Sequence, residues 1–425
     1  MKSATKCPAC IHVSAFRSDR SAAWRLACRR FLRNCLWLLG TFLLAGGLVQ
    51  AAVIKEGDIL VADQSADVLF KVDPETGART VVSDFSDLSQ GPGNGGFPSG
   101  ALAGVAVRGG QIYVTDFFIG IFGVDPRTGK RTLLSNINQG AIHGTLYYGV
   151  GVDVVGRVIA NSQQFPPQQQ FVIRVDTRTD NRVLVTDFSN PAQGAVFTGG
   201  NYITDLTLGP FGAILAGVGS TTFAGSAIYR INPITGYRSL VSDFTNPAQG
   251  TDVVDLNSTL GIAVEISGQI LANSLGPTGR DLLLQIDPET GRRRVLSDFN
   301  SSTQGPIGTS LHGLAVERSG SVIVGATAPA SGDVPALFRV NQRTGRRTVL
   351  SDANNLSQGA VAFKAIVAIA VVPGDHDDHG DHDGHGGHGE HDGHGEHDGH
   401  GEHGGPGSHS KPTGDPLVSP FGVVK

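Results

Sequence analysis

Residues 72–85 read VDPETGARTVVSDF, and residues 286–299 read IDPETGRRRVLSDF. A phrase that returns after so long a gap calls for a search for further copies before anything else. Four more are present: VDPRTGKRTLLSN (124–136), VDTRTDNRVLVTDF (175–188), INPITGYRSLVSDF (231–244) and VNQRTGRRTVLSD (340–352). Anchored on Asp73, Asp125, Asp176, Asn232, Asp287 and Asn341, they follow one another at steps of 52, 51, 56, 55 and 54 residues. Six residues after every anchor stands an arginine: Arg79, Arg131, Arg182, Arg238, Arg293 and Arg347. Eleven residues after it stands Asp84, Asn136, Asp187, Asp243, Asp298 or Asp352. A Gln-Gly pair closes each copy, as at Gln90-Gly91 and Gln358-Gly359.

A second pattern lies upstream of each phrase. GVGVDVVGRVIANS (149–162), GIAVEISGQILANS (261–274) and GLAVERSGSVIVGA (313–326) align without gaps as apolar run, Gly-bearing turn, β-branched run. That predicts two strands joined by a turn. The run before the anchor predicts a third strand. D-P-x-T-G predicts a tight turn, since Asp bonds its following backbone, Pro presets φ and Gly supplies positive φ. The run after it predicts a fourth. Six units of four antiparallel strands predict an all-β, six-bladed β-propeller over residues 52–373, since radial repetition leaves only short sheet edges. The first unit begins at GDILVADQ (57–64) and lacks its first strand, while AIVAIAVVPG (365–374) follows the sixth unit without a partner. Residues 366–372 are therefore expected to supply the innermost strand of the first blade and close the ring.

The ends differ in kind. Residues 1–51 carry eight Lys or Arg and one acidic residue, then LWLLGTFLLAGGLV at 36–49. A basic segment, a short apolar core and small residues predict a secretory signal peptide, hence a secreted or periplasmic protein with no stable membrane span after cleavage. All four cysteines lie in this leader, so the mature chain is expected to have no disulfide.

Residues 374–409 place histidine at every third position: His376, His379, His382, His385, His388, His391, His394, His397, His400 and His403. With no apolar material among its Gly, Asp and Glu, this tail is expected to be disordered. Its imidazoles suit Zn²⁺, Ni²⁺ or Cu²⁺. Residues 410–425 form a short C-terminal extension. Of the net charge of −5, the leader carries +7, the tail −10 and the C-terminal extension +1, which leaves the propeller region at −3. Nucleic-acid binding calls for a clustered basic surface, and this balance argues against it.

Features common to all six copies are expected to be scaffold, the arginines included. Function is sought where copies differ, at the channel face formed by the loops around the first strands. Candidates there are Asp63, Asp116, Asn161, Asp205 and Asn273, whose oxygens suit a small ligand or a hard cation such as Ca²⁺ or Mg²⁺. His143 and His312 are candidate general bases, each near its blade's first strand, with Tyr147 and Tyr148 beside the former.

The unit G-[IL]-A-V-E-x-x-G-x-[IV]-[LI]-[AV], followed by [LF]-x-[RKQ]-[VI]-[DN]-P-x-T-G, resembles a broad group of six-bladed propellers: the NHL-repeat, SMP-30/gluconolactonase and streptogramin-lyase-like proteins. The resemblance covers roughly residues 57–373 and rests on repeat grammar. It implies, for the lactonase-like members, a divalent metal held in the channel by Glu and Asn or Asp, with Asp63, Asp116, Asn161 and Asn273 standing where ligands belong. For the lyase-like members it implies a His/Glu pair with Mg²⁺. No glutamate matches the first set, and the second strands LVADQ, YVTDF and VIANS lack the W-F-T-E-like sequence of the second. The expected function is therefore an exported binding protein, its partner a small molecule or protein at the channel face. The alternative is a metal-dependent lactonase or lyase.

Overall fold

A computed structural model describes residues 53–93, 100–139, 142, 146–164, 169–196, 201–209, 212–220, 226–250, 258–275, 280–327 and 334–374. The leader, the tail, the C-terminal extension and His143 lie outside the described residues.

Blade 1 holds β1 (Ile59–Asp63), β2 (Val68–Val72) and β3 (Arg79–Asp84). Blade 2 holds β4 (Leu102–Arg108), β5 (Gln111–Asp116), β6 (Gly120–Val124) and β7 (Arg131–Asn136). Blade 3 holds β8 (Leu146–Val152), β9 (Val158–Gln164), β10 (Gln169–Asp176) and β11 (Asn181–Asp187). Blade 4 holds β12 (Asn201–Leu208), β13 (Ile214–Ser220), β14 (Ala227–Ile231) and β15 (Arg238–Asp243). Blade 5 holds β16 (Ser258–Val264), β17 (Ile270–Leu275), β18 (Asp281–Ile286) and β19 (Arg293–Asp298). Blade 6 holds β20 (Leu311–Val316), β21 (Val322–Ala326), β22 (Ala336–Val340) and β23 (Arg347–Asp352). The last strand, β24 (Ile366–Val371), pairs antiparallel with β1 and completes blade 1 in the order β24-β1-β2-β3. Each innermost strand abuts those of the two neighbouring blades, and β24 lies between β4 and β20. The six-bladed ring and its closure by the chain's late apolar run are as expected from the sequence.

One predicted detail shifts. The first strands begin two or three residues earlier than GVGVDV and GLAVER suggest, because pairing with the second strand continues past a bulge, as between Ile203 and Asp205 and between His312 and Leu314. In blade 3 the second and third strands are extended as well, with Gln163 and Gln164 in β9 paired to Gln170 and Gln169 in β10.

The arginine at offset six stands first in each fourth strand, or second in β11, and reaches into the preceding blade. Arg131 donates from Nη1 to Ser83 Oγ (2.8 Å) and the Asp84 carbonyl (2.7 Å), from Nη2 to the Asp87 and Gly91 carbonyls (2.9 and 3.1 Å), and from Nε to the Pro92 carbonyl (2.8 Å). Its guanidinium lies 4.5 Å from the centre of the Phe85 ring. Arg238, Arg293 and Arg347 repeat this grip on Phe188, Phe244 and Phe299. Their scaffold role is thus to bolt blade to blade.

Between blades 2 and 3 the bolt is rewired. Elsewhere a Gln Oε1 accepts the backbone N–H of the offset-eleven residue, as Gln90 does for Asp84 (2.8 Å) and Gln249 for Asp243 (2.8 Å). After Asn136 the glutamine comes three residues later, at Gln139, where Gln90 follows Asp84 by six. Asp180 of blade 3 takes its place, accepting from the Asn136 N–H (3.3 Å) and pairing with Arg182 (3.2 Å). Asp180 stands where the other copies have glycine and keeps that residue's positive φ, 54°.

Those glycines sit against the neighbouring blade. A Cβ on Gly291, at φ +69°, would lie 2.0 Å from the Val241 carbonyl oxygen. Gly291→Ala is expected to cost about 2–4 kcal/mol, summing left-handed strain and overpacking. Gly156→Ala, also at positive φ but with nothing within 4 Å, is expected to cost only about 1–2 kcal/mol. Chemical denaturation of both variants checks the difference.

Candidate functional site in the central channel

The innermost strands enclose a cavity of about 420 Å³, with walls from all six blades. Most lining side chains are small and apolar, as in Val105, Val150, Leu206 and Leu314, while Thr204, Thr207 and exposed backbone groups give the wall a surface somewhat more polar than apolar. Two charged residues border it, Asp205 and Arg108. Arg108 ends its strand and donates to the Val154 carbonyl (3.2 Å).

Asp205 stands at the bulge of β12, opposite Gly217. Its Oδ1 accepts the Leu206 N–H (2.8 Å) and its Oδ2 accepts the Ile262 N–H of blade 5 (2.9 Å). Burial pushes this carboxyl up to about 7, although both N–H groups act to lower it. No nearby cation offsets the burial.

The other candidates do not join it in lining the cavity. Asp63 and Asp116 occupy one position of the second strand, while Asn161 and Asn273 occupy the position before. Register makes this plain: Asp116 pairs with Leu102, whereas Asn273 pairs with Gly261 beyond the bulge. Successive strand residues face opposite sides, so the aspartates and asparagines turn toward different neighbouring blades. Asp63 is fully buried and accepts N–H groups from Ala66, Lys364 and Ala365, pinning the approach to β24. Burial raises its pKa. Asp116 Oδ1 accepts from the Phe118 and Ile119 N–H groups (2.9 and 3.0 Å), and burial pushes this carboxyl up to about 6. Asn161 bridges blades 3 and 4, accepting from the Gly149 N–H (2.7 Å) and donating to the Ile203 carbonyl (3.2 Å). Asn273 reaches the Gly313 carbonyl of blade 6 at 3.5 Å. His312 lies within β20, paired with Gly325, and burial pushes its imidazole down to about 4. It is therefore neutral, and a weak base, at physiological pH. Among the described residues no three His, Cys, Asp or Glu side chains gather into a metal-holding group.

Repeat comparison missed an aromatic row at the channel mouth, where β8 and β12 begin and β5 ends. Phe117 meets Tyr148 edge-on at 4.9 Å between ring centres, and Tyr148 stands 6.3 Å from Tyr202. All three rings are half-buried. The row occupies positions that are not equivalent from blade to blade, so an internal alignment is blind to it. Tyr148 precedes Gly149, where an added Cβ would lie 3.0 Å from Asp205 Oδ1. Tyr202 stands three residues before Asp205 on the same strand, roughly 10 Å along it.

No family model matches the chain, and no curated protein matches it in sequence. Solved structures are similar in fold. One is a nidogen/laminin complex (13% identity, 74% of this chain and 98% of that chain covered, TM-score 0.49). Another is the PQQ-bound aldose sugar dehydrogenase of Streptomyces coelicolor (17%, 65% and 86%, TM-score 0.47). A third is a candidate 6-phosphogluconolactonase of Bacteroides fragilis (13%, 74% and 97%, TM-score 0.46). Likenesses this distant bring no activity with them. The six-bladed fold implied by the family resemblance is the fold observed.

Proposed function

We propose that this chain is an exported binding protein with two separate ligand-holding parts. The propeller seats a small molecule in its central channel, and the histidine-rich tail chelates divalent metal. The observation that carries the first part is the cavity itself: about 420 Å³, bounded by six inner strands whose lining side chains are mostly apolar, with polar backbone between them and one carboxylate on its wall. Small-molecule sites are typically concave, mainly apolar, roughly 300–1,000 Å³ in volume, and oriented by a few polar groups. A metal-dependent lactonase or lyase is the alternative, and it needs histidine and carboxylate groups sharing one pocket with a cation. Binding is favoured because Asp63 is spent on backbone N–H groups and Asp116 holds a turn through one oxygen away from the cavity, while Asp205 alone of the described candidates borders it.

The tail reading rests on the three-residue histidine interval from His376 to His403. Calorimetric titration of the mature chain with Zn²⁺ or Ni²⁺ at neutral pH is expected to show binding of several ions. Binding should weaken below about pH 6 as imidazole protonates, and a chain ending at Gly374 should lose it. Equal heats from the two chains would end this part of the proposal. A ligand screen on the propeller tests the other part, since Ala106→Phe, which narrows the cavity, should abolish any thermal shift that a channel ligand gives.

A further inference from the structure

The chemistry of the channel narrows its occupant. We propose that it takes a small organic cation, with an apolar body against the inner strands and an ammonium group on Asp205. This rests on the channel-binding reading above and deepens it.

Three observations converge. Asp205 borders the cavity with no compensating positive charge beside it, and each of its oxygens accepts one N–H and keeps acceptor capacity. A carboxyl so placed is costly to ionise and is only partly ionised near neutral pH, and an ammonium arriving beside it would favour the carboxylate. The mouth carries the rings of Phe117, Tyr148 and Tyr202, whose electron-rich faces attract cations. The lining side chains are mainly apolar, with backbone groups, Thr204 and Thr207 supplying polar surface between them, which suits an organic body with a polar head. A hard metal ion wants roughly six or more oxygen ligands, and the wall supplies a single carboxylate. Arg108, the other charge on the wall, is engaged at the far end of its strand and does not neutralise Asp205.

The test compares three probes of one shape on the mature full-length chain: phenethylamine, 2-phenylethanol and 3-phenylpropionate, followed by saturation-transfer NMR. The amine is expected to bind at least about tenfold more tightly than the alcohol, a difference of about 1.4 kcal/mol, and the carboxylate not at all. Asp205→Asn should reduce amine affinity by about tenfold or more and leave the alcohol within about twofold. Tyr148→Leu, at the half-buried mouth position beside Gly149 and Asp205, should weaken the amine by about two- to fivefold and the alcohol less. If alcohol and amine bind alike, or if neither variant changes amine affinity, the cation proposal falls while channel binding stands. If none of the three binds at millimolar concentration, both fall.

Discussion

A chain ending at Phe363 is expected not to fold, whereas one ending at Gly374 should melt like one running on to Lys425. The difference between them contains β24. That strand buries Ile366 completely and Ile369 almost so (7% exposed). Each such side chain is worth roughly 1.5–3 kcal/mol when buried. Removing the strand also uncovers Leu60 and Ala62 on one side of β1 and Ile59 and Val61 on the other, all fully buried in the ring. It strips the hydrogen-bond partners from β1 and leaves β4 and β20 facing a gap. The combined loss exceeds the roughly 5–15 kcal/mol by which a domain is normally stable. Circular dichroism and denaturant titration of the two truncated chains check this. A cooperative transition of normal size in the shorter chain would overturn it.

The second large effect is expected at Arg79. This side chain fastens blade 1 to blade 6 on the outer side of the seam that β24 closes on the inner side. It donates to Ser351 Oγ (3.0 Å), and to the carbonyls of Asp352 (2.6 Å), Asn355 (3.1 Å), Gly359 (3.2 Å) and Val361 (3.2 Å). The guanidinium lies 5.1 Å from the centre of the Phe363 ring, which replaces the ring that Phe85 supplies in blade 1. Arg79→Met keeps the apolar stem and removes every donor. Partly buried carbonyls then lose charged hydrogen bonds, each worth roughly 1.5–3 kcal/mol. With partial relaxation the expected loss is about 3–5 kcal/mol. Thr80→Ala, the next residue and exposed on the outer strand, is expected to change stability by less than about 0.5 kcal/mol. A shift in the denaturation midpoint for Arg79→Met no larger than that for Thr80→Ala would refute the bolt.

The repeats made the ring legible, because two offsets held through six copies report a shared local structure. They did not tell whether Arg79 and its five counterparts bond within their own copy or across to the next. Invariance looks the same in either case, and the partners lie one whole unit away in sequence. The same limit hid Asp180, whose role appears only once Gln139 is seen to fall too close to Asn136. The channel candidates suffered from register. A one-residue offset grouped Asp63 and Asp116 with Asn161 and Asn273, and in a strand one residue is the difference between opposite faces. Asp205 was found because it departs from the repeat. Phe117 and Tyr202 were not, since three rings from three blades come together only in space.

Hydrogen exchange of the amides of residues 364–373 in the intact protein tests ring closure most directly. If β24 is the innermost strand of blade 1, its amides should exchange as slowly as those of β1, through global unfolding alone. Exchange at the rate of an exposed terminus, with β1 still protected, would contradict the closed ring and the channel built on it.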